Sequence, residues 1–311
     1  GASVVITADG GWRRGRVIAL KANVAAALAD NACPSVRHVV VLRRCENEIE
    51  WVTERDIWWE DAISGQPDEC PAEELPAEHP LYILYTSGTT GRPKGAVISH
   101  RALIARGAVF GMDLGIMPHE TFVAWAPLFH MASTDQALAT LMRGGSVAII
   151  DGYDAEAFER TIASENIGWL PLIPGMIERL LKDFDGRALR IQGIRVIGAM
   201  ADLVAMHHIM QATTALNAPY VNSFGSTETG LPPASAGLIP IGSDSIDLAK
   251  RQSSLCEIRL VDVNDQDVPM GMPGECAIRG ATLFSGYWRE EEATKERQPR
   301  DHFLHDRELA A

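Results

Sequence analysis

The feature that most constrains the fold is an alternation of short apolar runs, rich in β-branched residues, with helical segments. Asp154 stands where a helix N-cap is expected. Strand–helix–strand repetition predicts an α/β fold with mostly parallel sheets and helices on their faces. Strands are predicted at 3–7, 38–42, 81–86, 121–127, 145–151, 167–173 and 194–199, and helices at 21–30, 99–115, 133–143, 154–166 and 174–184.

The amino-acid composition changes near residue 231, where a stretch rich in Pro, Gly and Ser begins. Residues 256–280 then predict two strands joined by a turn, which indicates a small antiparallel, β-barrel-like subdomain. We therefore predict an α/β region over 1–230 and a β-rich subdomain over 231–311. The acidic segment 46–80 is interpreted as a surface excursion packed by its tryptophan rings.

Composition excludes some classes of protein. The chain has 311 residues and a formal net charge of -13, which argues against a protein that wraps nucleic acid without sequence preference. No run of residues has the apolar length of a membrane span. The five cysteines include no CxxC pair, and an odd number fits no closed set of disulfides, so reduced thiols and a cytoplasmic location are expected.

The loop "YTSGTTGRPKG" at 85–95 carries the strongest chemical signal. Glycines let backbone N–H groups converge on an anion, hydroxyls add donors, and Lys94 adds a positive charge. The loop is not the common P-loop, because Pro93 precedes Lys94 and Gly95 follows it. Composition alone leaves two interpretations of this loop open, a phosphate-binding loop or a flexible turn. Since the loop follows a predicted strand, it is placed at the carboxyl end of a sheet strand.

The order of residues in this loop resembles the signature of the adenylate-forming enzymes, which include acyl-CoA synthetases, luciferases and adenylation domains of peptide synthetases. Four further stretches resemble later motifs of that family in the correct order and extend the likeness to about 81–288. They are "PLFH" at 127–130, "GAM" at 198–200, "NSFGSTETG" at 222–230 and "GECAIRGATLFSGYW" at 274–288.

The resemblance implies ATP-dependent activation of a carboxylic acid to an acyl-adenylate, followed by thioester formation with coenzyme A. ATP, Mg²⁺ and coenzyme A are the implied cofactor and co-substrates. It implies that Lys94 offsets phosphate charge, that Thr227 touches the α-phosphate, that Glu228 holds Mg²⁺ and that His130 lies beside the acyl pocket. The implied nucleotide-binding residues are Thr86, Ser87, Gly88, Thr89, Thr90, Gly91, Lys94, Gly198, Ala199, Phe224, Gly225 and Thr227.

Each of these residues also has an ordinary structural explanation. Lys94 could be a surface lysine, Glu228 a carboxylate at a helix start, and Phe224 a core residue. A lone histidine such as His130 on an apolar stretch is more often a core residue than a ligand. The adjacent His207 and His208 are interpreted as surface residues and not as metal ligands.

The chain departs from the family pattern at both ends. The mobile C-terminal domain of the family, with its catalytic lysine, is expected to be absent, and the first part of the large domain is expected to be missing. The ribose-binding aspartate is not assigned, since Asp306 and Glu308 are both candidates. Residues 6–24 resemble acetyl- and propionyl-CoA synthetases, whereas residues 126–145 resemble synthetases for longer or aromatic acids, so the acid stays open.

Three functions remain open from the sequence. The first is the nucleotide- and acyl-binding part of a carboxylate–CoA ligase. The second is a non-catalytic nucleotide-binding remnant or assembly module. The third is an adenylation domain that loads a carrier-protein thiol. The expected partners are small molecules, and self-association to a homo-oligomer is possible where sheet edges are exposed.

Overall fold

The computed structural model describes residues 1–13, 16–86, 92–185, 187–245, 247–298 and 304–306. The chain divides into two compact units, Gly1–Glu74 and Leu75–Ala311. The boundary predicted near residue 231 stays a prediction. Among the described residues, no helix is both long and apolar enough to cross a membrane.

The first unit is built around a three-stranded parallel sheet in the order β1-β4-β5. Strands β2 and β3 form a separate antiparallel hairpin. The elements are β1 Val4–Ala8, β2 Gly11–Arg13, β3 Arg16–Ile18, α1 Leu20–Ala27, β4 His38–Leu42, β5 Asp56–Trp58 and α2 Trp59–Ile63.

The interpretation of 46–80 as a surface excursion is wrong for β5, which pairs in parallel with β4. The apolar pattern of a buried strand is not visible here, because this three-residue strand begins with a charged residue, Asp56. That carboxylate is buried and pairs with the buried Lys21 at 2.8 Å. The expected ring packing is present, since Trp51 and Trp58 stack with centroids 4.4 Å apart.

The second unit contains a six-stranded sheet, β13-β12-β11-β10-β8-β9, in which all neighbours are parallel except β12 and β13. Its elements are β6 Pro80–Tyr85, β7 Gly95–Ser99, α3 His100–Leu114, β8 Thr121–Ala124, α4 Met131–Met142, β9 Val147–Ile149, α5 Ala155–Ser164, β10 Asn166–Leu170, α6 Met176–Asp183, β11 Gly193–Ile197, α7 Met206–Leu216, β12 Tyr220–Val221, β13 Leu238–Ile239, β14 Cys256–Val261, β15 Glu275–Gly280, α8 Glu291–Arg297 and β16 Leu304–Asp306. The predicted alternation and parallel sheet are therefore confirmed.

Two apolar clusters lie on the opposite faces of this sheet. Adjacent strand residues point to opposite faces, and accordingly Val123 joins one cluster while Phe122 joins the other. Helices α5, α6 and α7 pack in the first cluster, and α3 and α4 pack in the second. The Asp154 carboxylate accepts the Ala157 N–H at 2.7 Å, which confirms the predicted N-cap of α5.

Strand β6 does not belong to the parallel sheet, so the predicted position of the 85–95 loop is wrong. It pairs with β7 in an antiparallel hairpin. The sequence analysis missed β7, whose five residues are all buried and offer no polar–apolar alternation. The loop therefore joins the two strands of a hairpin instead of leading from a strand into a helix.

The predicted antiparallel unit is confirmed. Strands β14 and β15 pair in antiparallel register, and β16 pairs with the other edge of β15. Helix α8, which has no buried residues, lies between β15 and β16 in the chain. Helix α7, which carries the exposed His207 and the partly buried His208, was not predicted, and neither were the short strands β12, β13 and β16.

Asp9 organises the turn that follows β4 in the first unit. Its buried carboxylate accepts the N–H groups of Gly10, Arg44, Cys45 and Glu46 at 2.6 to 3.0 Å. Burial by itself raises the pKa of Asp9, but the backbone donors outweigh burial and hold the pKa below its ordinary value. The ionised carboxylate therefore stabilises the folded turn.

We expect Asp9→Asn to destabilise this turn by about 1–3 kcal/mol at neutral pH, because strong acceptors for buried N–H groups are lost. The stabilisation by the wild-type carboxylate is present above its unfolded pKa of about 3.9 and is lost as the pH falls through the lower folded value. Hydrogen-exchange protection of peptides covering 43–47 at pH 7 and pH 3 measures both effects. The exposed Asp68→Asn is the control, and equal protection in the two variants would contradict the prediction.

Candidate active site

A cavity of about 750 Å³ in the second unit opens at the carboxyl ends of four parallel strands. Its wall includes Trp125 after β8, Pro171 after β10, Ala199 after β11 and the residues Ser223 to Glu228 after β12. Open α/β sheets bind ligands at this edge. The β6–β7 hairpin adds Thr86 and Lys94 to the same wall.

The ends of the predicted phosphate loop are held together by the Thr86 N–H, which donates to the Lys94 carbonyl at 2.9 Å. This bond continues the hydrogen-bond ladder between β6 and β7. Both residues line the cavity. The predictions on Ser87, Gly88, Thr89, Thr90 and Gly91 fall outside the described residues and stay predictions.

Glu228 lies in the same cavity as Lys94 and Thr227, although 134 positions separate it from Lys94 (228 − 94). Its side chain is only 7% exposed. The Tyr287 hydroxyl donates to Glu228 Oε1 at 2.6 Å. The Lys94 Nζ lies 4.9 Å from the centroid of the Tyr287 ring, within cation–π range. Tyr287 therefore contacts both the predicted phosphate-binding cation and the predicted magnesium-binding carboxylate.

The environment keeps Tyr287 protonated. Burial, the Glu228 charge and the hydrogen bond to Glu228 raise the pKa of Tyr287, and the Arg297 guanidinium offsets part of the rise. The hydroxyl is consequently a permanent donor to one carboxylate oxygen near neutral pH. Sequence reasoning missed this residue; its place in the "GYW" stretch was the available signal.

Tyr287 is positioned by a segment that runs along β7. Trp288 N–H donates to the Gly95 carbonyl at 2.7 Å, and the N–H of Val97 donates to the Gly286 carbonyl at 2.9 Å. Gly286 has φ of +117°, and a Cβ there would lie 2.9 Å from a Thr294 methyl. The segment that carries Tyr287 is therefore fixed to the strand that follows Lys94.

The backbone of the Thr227–Glu228 loop is held by Arg106 of α3, which is 1% exposed. Its Nη2 donates to the carbonyls of Glu228 and Thr227 at 3.1 and 3.2 Å, and its Nε donates to the Thr282 carbonyl at 2.8 Å. Gly230, with φ of +75°, makes room for it, since a Cβ there would lie 2.7 Å from Arg106 Cδ.

The charge of Arg106 is balanced by Asp135 of α4, also 1% exposed, at 2.9 Å from Nη1. The Tyr82 hydroxyl of β6 donates to the other carboxylate oxygen of Asp135. Burial and the Asp135 charge raise the pKa of Tyr82. One buried network thus joins β6, α3 and α4 to the loop that carries Glu228. Sequence reasoning did not find Arg106 or Asp135.

The predicted adenine-side turn is shaped by Tyr220. Gly198 has φ of +86°, and a Cβ there would lie 2.2 Å from the Tyr220 ring. The Tyr220 hydroxyl donates to the Ala199 carbonyl at 2.8 Å, and Trp169 Nε1 donates to the Gly198 carbonyl at 2.9 Å. Ala199 lines the cavity, whereas Gly198 is not in the described part of its wall. The Tyr220 ring therefore leaves no space for a side chain at Gly198. The role of Gly198 in nucleotide binding stays a prediction.

The half-buried Phe224 and Gly225 also line the cavity. A Cβ at Gly225 would lie 2.0 Å from the Gly230 carbonyl oxygen, so the loop closes too tightly for any side chain there. The ring of Phe224 packs against the cluster that contains Phe284 and Tyr287. The core-packing and ligand-contact explanations of Phe224 are therefore compatible.

His130 lines the cavity and is exposed, so its interpretation as a core residue is wrong. It is the N-cap of α4, and its Nδ1 accepts the Ala132 N–H at 3.2 Å. This bond assigns the proton of the neutral ring to Nε2. A donor is therefore present beside the cavity, as a contact to a carboxylate requires.

The described residues contain no group of three or more His, Cys, Asp and Glu side chains arranged for a metal ion. Magnesium bound to nucleotide phosphates keeps several waters and needs only one or two protein carboxylates. Glu228 fits this requirement, because one carboxylate oxygen accepts from Tyr287 and the residue lines the cavity. A single carboxylate of this kind suits magnesium that arrives with a nucleotide.

Comparison with known proteins defines the family. Residues 1–288 match the family model described as AMP-binding enzyme, and the chain belongs to this family. It is 33% identical over 247 residues to acetyl-coenzyme A synthetase 2 of Pseudomonas aeruginosa, covering 73% of this chain and 36% of the relative. It is 30% identical to acetyl-coenzyme A synthetase of Cupriavidus necator, covering 90% of this chain and 44% of the relative.

The fold matches a solved malonyl-CoA ligase described as a ternary product complex with methylmalonyl-CoA and AMP bound. The TM-score is 0.70 at 24% identity, over 92% of this chain and 60% of that one. The predicted family resemblance and fold class are confirmed. The chain spans less than half the length of the two curated relatives.

We expect Arg106→Leu to lower the free energy of unfolding by about 3–5 kcal/mol, because it leaves the buried Asp135 carboxylate without a compensating cation. The double variant Arg106→Leu/Asp135→Leu should lose less, since it removes both charges. Urea denaturation of the full chain, followed by circular dichroism, measures both losses.

The matched control for this experiment is Arg160→Leu. The Arg160 side chain is 71% exposed and lies 3.7 Å from Glu156, so its loss should change stability by less than about 0.5 kcal/mol. A double variant that is less stable than Arg106→Leu would contradict the assignment of a charge-compensated pair.

Proposed function

We propose that the cavity binds ATP and a carboxylic acid and joins them as an acyl-adenylate. In this reaction a carboxylate oxygen attacks the α-phosphate, the bond to the β-phosphate bridging oxygen breaks, and pyrophosphate leaves. The observation that carries the proposal is the meeting of Lys94, Thr227 and Glu228 in one cavity, with Tyr287 in contact with Lys94 and Glu228.

The arrangement suits a substitution at phosphorus, in which catalysis is mainly positioning and charge neutralisation. Lys94 would offset the charge of the leaving pyrophosphate, and Glu228 would hold the magnesium that accompanies it. Thr227 would contact the α-phosphate, and His130 the carboxylate of the acid. Phe224, Gly225, Ala199 and Gly198 would form the adenine side, as their family resemblance implies.

We propose that coenzyme A then takes the acyl group of the adenylate, its thiol sulfur forming the thioester while AMP leaves. The support is the similarity to acetyl-coenzyme A synthetases. A cytoplasmic location agrees with the odd number of cysteines and the absence of a CxxC pair from the sequence. The net charge of -13 supports small-molecule partners over nucleic acid.

Titration of Mg·ATP into the full chain by calorimetry tests the nucleotide site. We expect Lys94→Ala and Glu228→Gln each to weaken binding roughly 10- to 100-fold, the loss of one charge-assisted contact of about 1.5–3 kcal/mol. The exposed Lys182→Ala, outside the cavity wall, is the control. Unchanged affinity in both cavity variants would contradict the proposal.

ATP–pyrophosphate exchange with a panel of acids separates the remaining alternatives. Exchange that depends on an acid supports adenylation. Tight ATP binding without exchange by any acid would favour a non-catalytic nucleotide-binding module instead. Acyl transfer to a carrier-protein thiol but not to coenzyme A would favour the carrier-loading alternative.

We expect Tyr287→Phe to weaken Mg·ATP binding about 3- to 10-fold, since one hydrogen bond that orients Glu228 is worth about 0.5–1.5 kcal/mol. The loss should be larger at low magnesium and smaller at saturating magnesium, because the hydroxyl acts through the metal-binding carboxylate. Calorimetry over a magnesium series measures this dependence.

Phenylalanine keeps the ring beside Lys94, so this variant isolates the hydroxyl. Tyr153→Phe removes a hydroxyl outside the cavity wall and is the matched control. A loss of affinity that stays constant across the magnesium series would show that Tyr287 does not act through Glu228.

A further inference from the structure

We infer that the acid taken by this cavity is a monocarboxylic acid with an apolar tail of several carbons, in preference to acetate or a dicarboxylic acid. The inference rests on the proposed function and concerns the part of the cavity that the nucleotide-side residues do not line.

The wall of this part is apolar, and it is formed by residues from β8, β10 and α4. Trp125 and Trp169 supply two indole rings, and Phe122 stacks on Trp169 with centroids 5.8 Å apart. Met131 adds a thioether at the start of α4. Such flat and flexible apolar side chains are suited to cover an aliphatic or aromatic tail.

The segment after β10 continues the apolar wall with Pro171, Ile173, Pro174 and Met176. The two prolines have no N–H, so this stretch offers few backbone donors to a charged ligand. The side chain of Ile173 is 44% exposed. An apolar tail that covered it would gain hydrophobic free energy without displacing a protein contact.

Two polar side-chain atoms of this wall are already used within the protein. Trp169 Nε1 donates to the Gly198 carbonyl at 2.9 Å, and the Ser133 hydroxyl donates to the Ala126 carbonyl at 2.9 Å. A second carboxylate beside these residues would lose water and meet no cation among Trp125, Trp169, Met131 and Ile173, which is costly. This argues against dicarboxylic acids.

Two cations of the described cavity wall are grouped around Tyr287. Lys94 and Arg297 both adjoin Tyr287, Lys94 over its ring and Arg297 close enough to affect its pKa. His130 is the remaining basic side chain in the described wall, and the proposed function assigns it to the reacting carboxylate. The charge is thus grouped where phosphates are expected, and the far wall selects an uncharged tail.

The preferred length of the tail follows from the binding free energy that each added carbon contributes. Burying one methylene contributes about 0.8 kcal/mol, which is roughly a fourfold gain in affinity. Acetate, with a single methyl group, would leave most of this wall in contact with water. The acetyl-coenzyme A synthetases that the chain resembles are named for that smaller acid.

Binding of AMP esters to the full chain tests the inference without requiring turnover. The probes are ethyl, butyl and hexyl esters of AMP, together with a carboxypentyl ester that ends in a carboxylate. We expect calorimetry to give affinity that rises on the order of 100-fold from the ethyl to the hexyl ester. The carboxypentyl ester should bind at least about tenfold more weakly than the hexyl ester.

The possible results separate this inference from the proposed function. Equal affinity for the ethyl and hexyl esters, with ATP still bound, would overturn the apolar-tail inference and leave the nucleotide site intact. Tighter binding of the carboxypentyl ester would overturn it in favour of a dicarboxylic acid. Absence of binding by ATP and by every ester would overturn both proposals.

A variant of the wall localises the effect. Ile173→Ala should reduce the gain from ethyl to hexyl ester by at least about threefold while leaving ATP affinity unchanged, because it removes only tail contacts. Leu141→Ala is the matched control, since Leu141 is 57% exposed on α4 and lies outside the cavity wall. The same chain-length gain in Ile173→Ala and in the wild type would contradict the assignment of this wall.

Discussion

The interaction on which the site depends is the bond of the buried Arg106 guanidinium to the carbonyls of Thr227 and Glu228. A buried cation is tolerated only when its charge and its donors are satisfied together. Asp135 supplies the charge, and three carbonyls in two different loops accept the remaining N–H groups that are described. The geometry of the Glu228 loop is therefore set by helices α3 and α4, not by the short strand β12 that precedes it.

This arrangement places Glu228 between two kinds of support. Its backbone is held from the helix side by Arg106, and its carboxylate is held from the hairpin side by Tyr287. Tyr287 in turn belongs to a segment that pairs with β7, directly after Lys94. Lys94 and Glu228 are consequently tied to one hydrogen-bonded segment, and such preorganisation would reduce the cost of ordering them when a ligand binds.

Much of the second unit could be predicted because its signals are local. The alternation of apolar runs and the Asp154 cap depend on neighbouring residues, and both are confirmed. Strand β5 and the β6–β7 hairpin could not be predicted in the same way. Asp56 looks unsuited to a buried strand until Lys21, distant in sequence, is brought beside it. β7 is buried on both faces and therefore lacks the alternation that identifies a strand.

The same distinction applies to the candidate site. Motif order predicted Lys94, Thr227 and Glu228, and the structure brings them to one cavity. Tyr287 and Arg106 act on Glu228 from 59 and 122 positions away, and contacts of that separation leave no local pattern to detect. The division of the cavity has a related cause. Lys94, Thr227 and Glu228 belong to recognisable motifs, whereas apolar wall residues such as Phe122 and Trp169 do not. In the proposed function the charged residues bind ATP with every acid. Selectivity for the acid is therefore assigned to the apolar wall, whose residues lie mostly outside the recognised motifs.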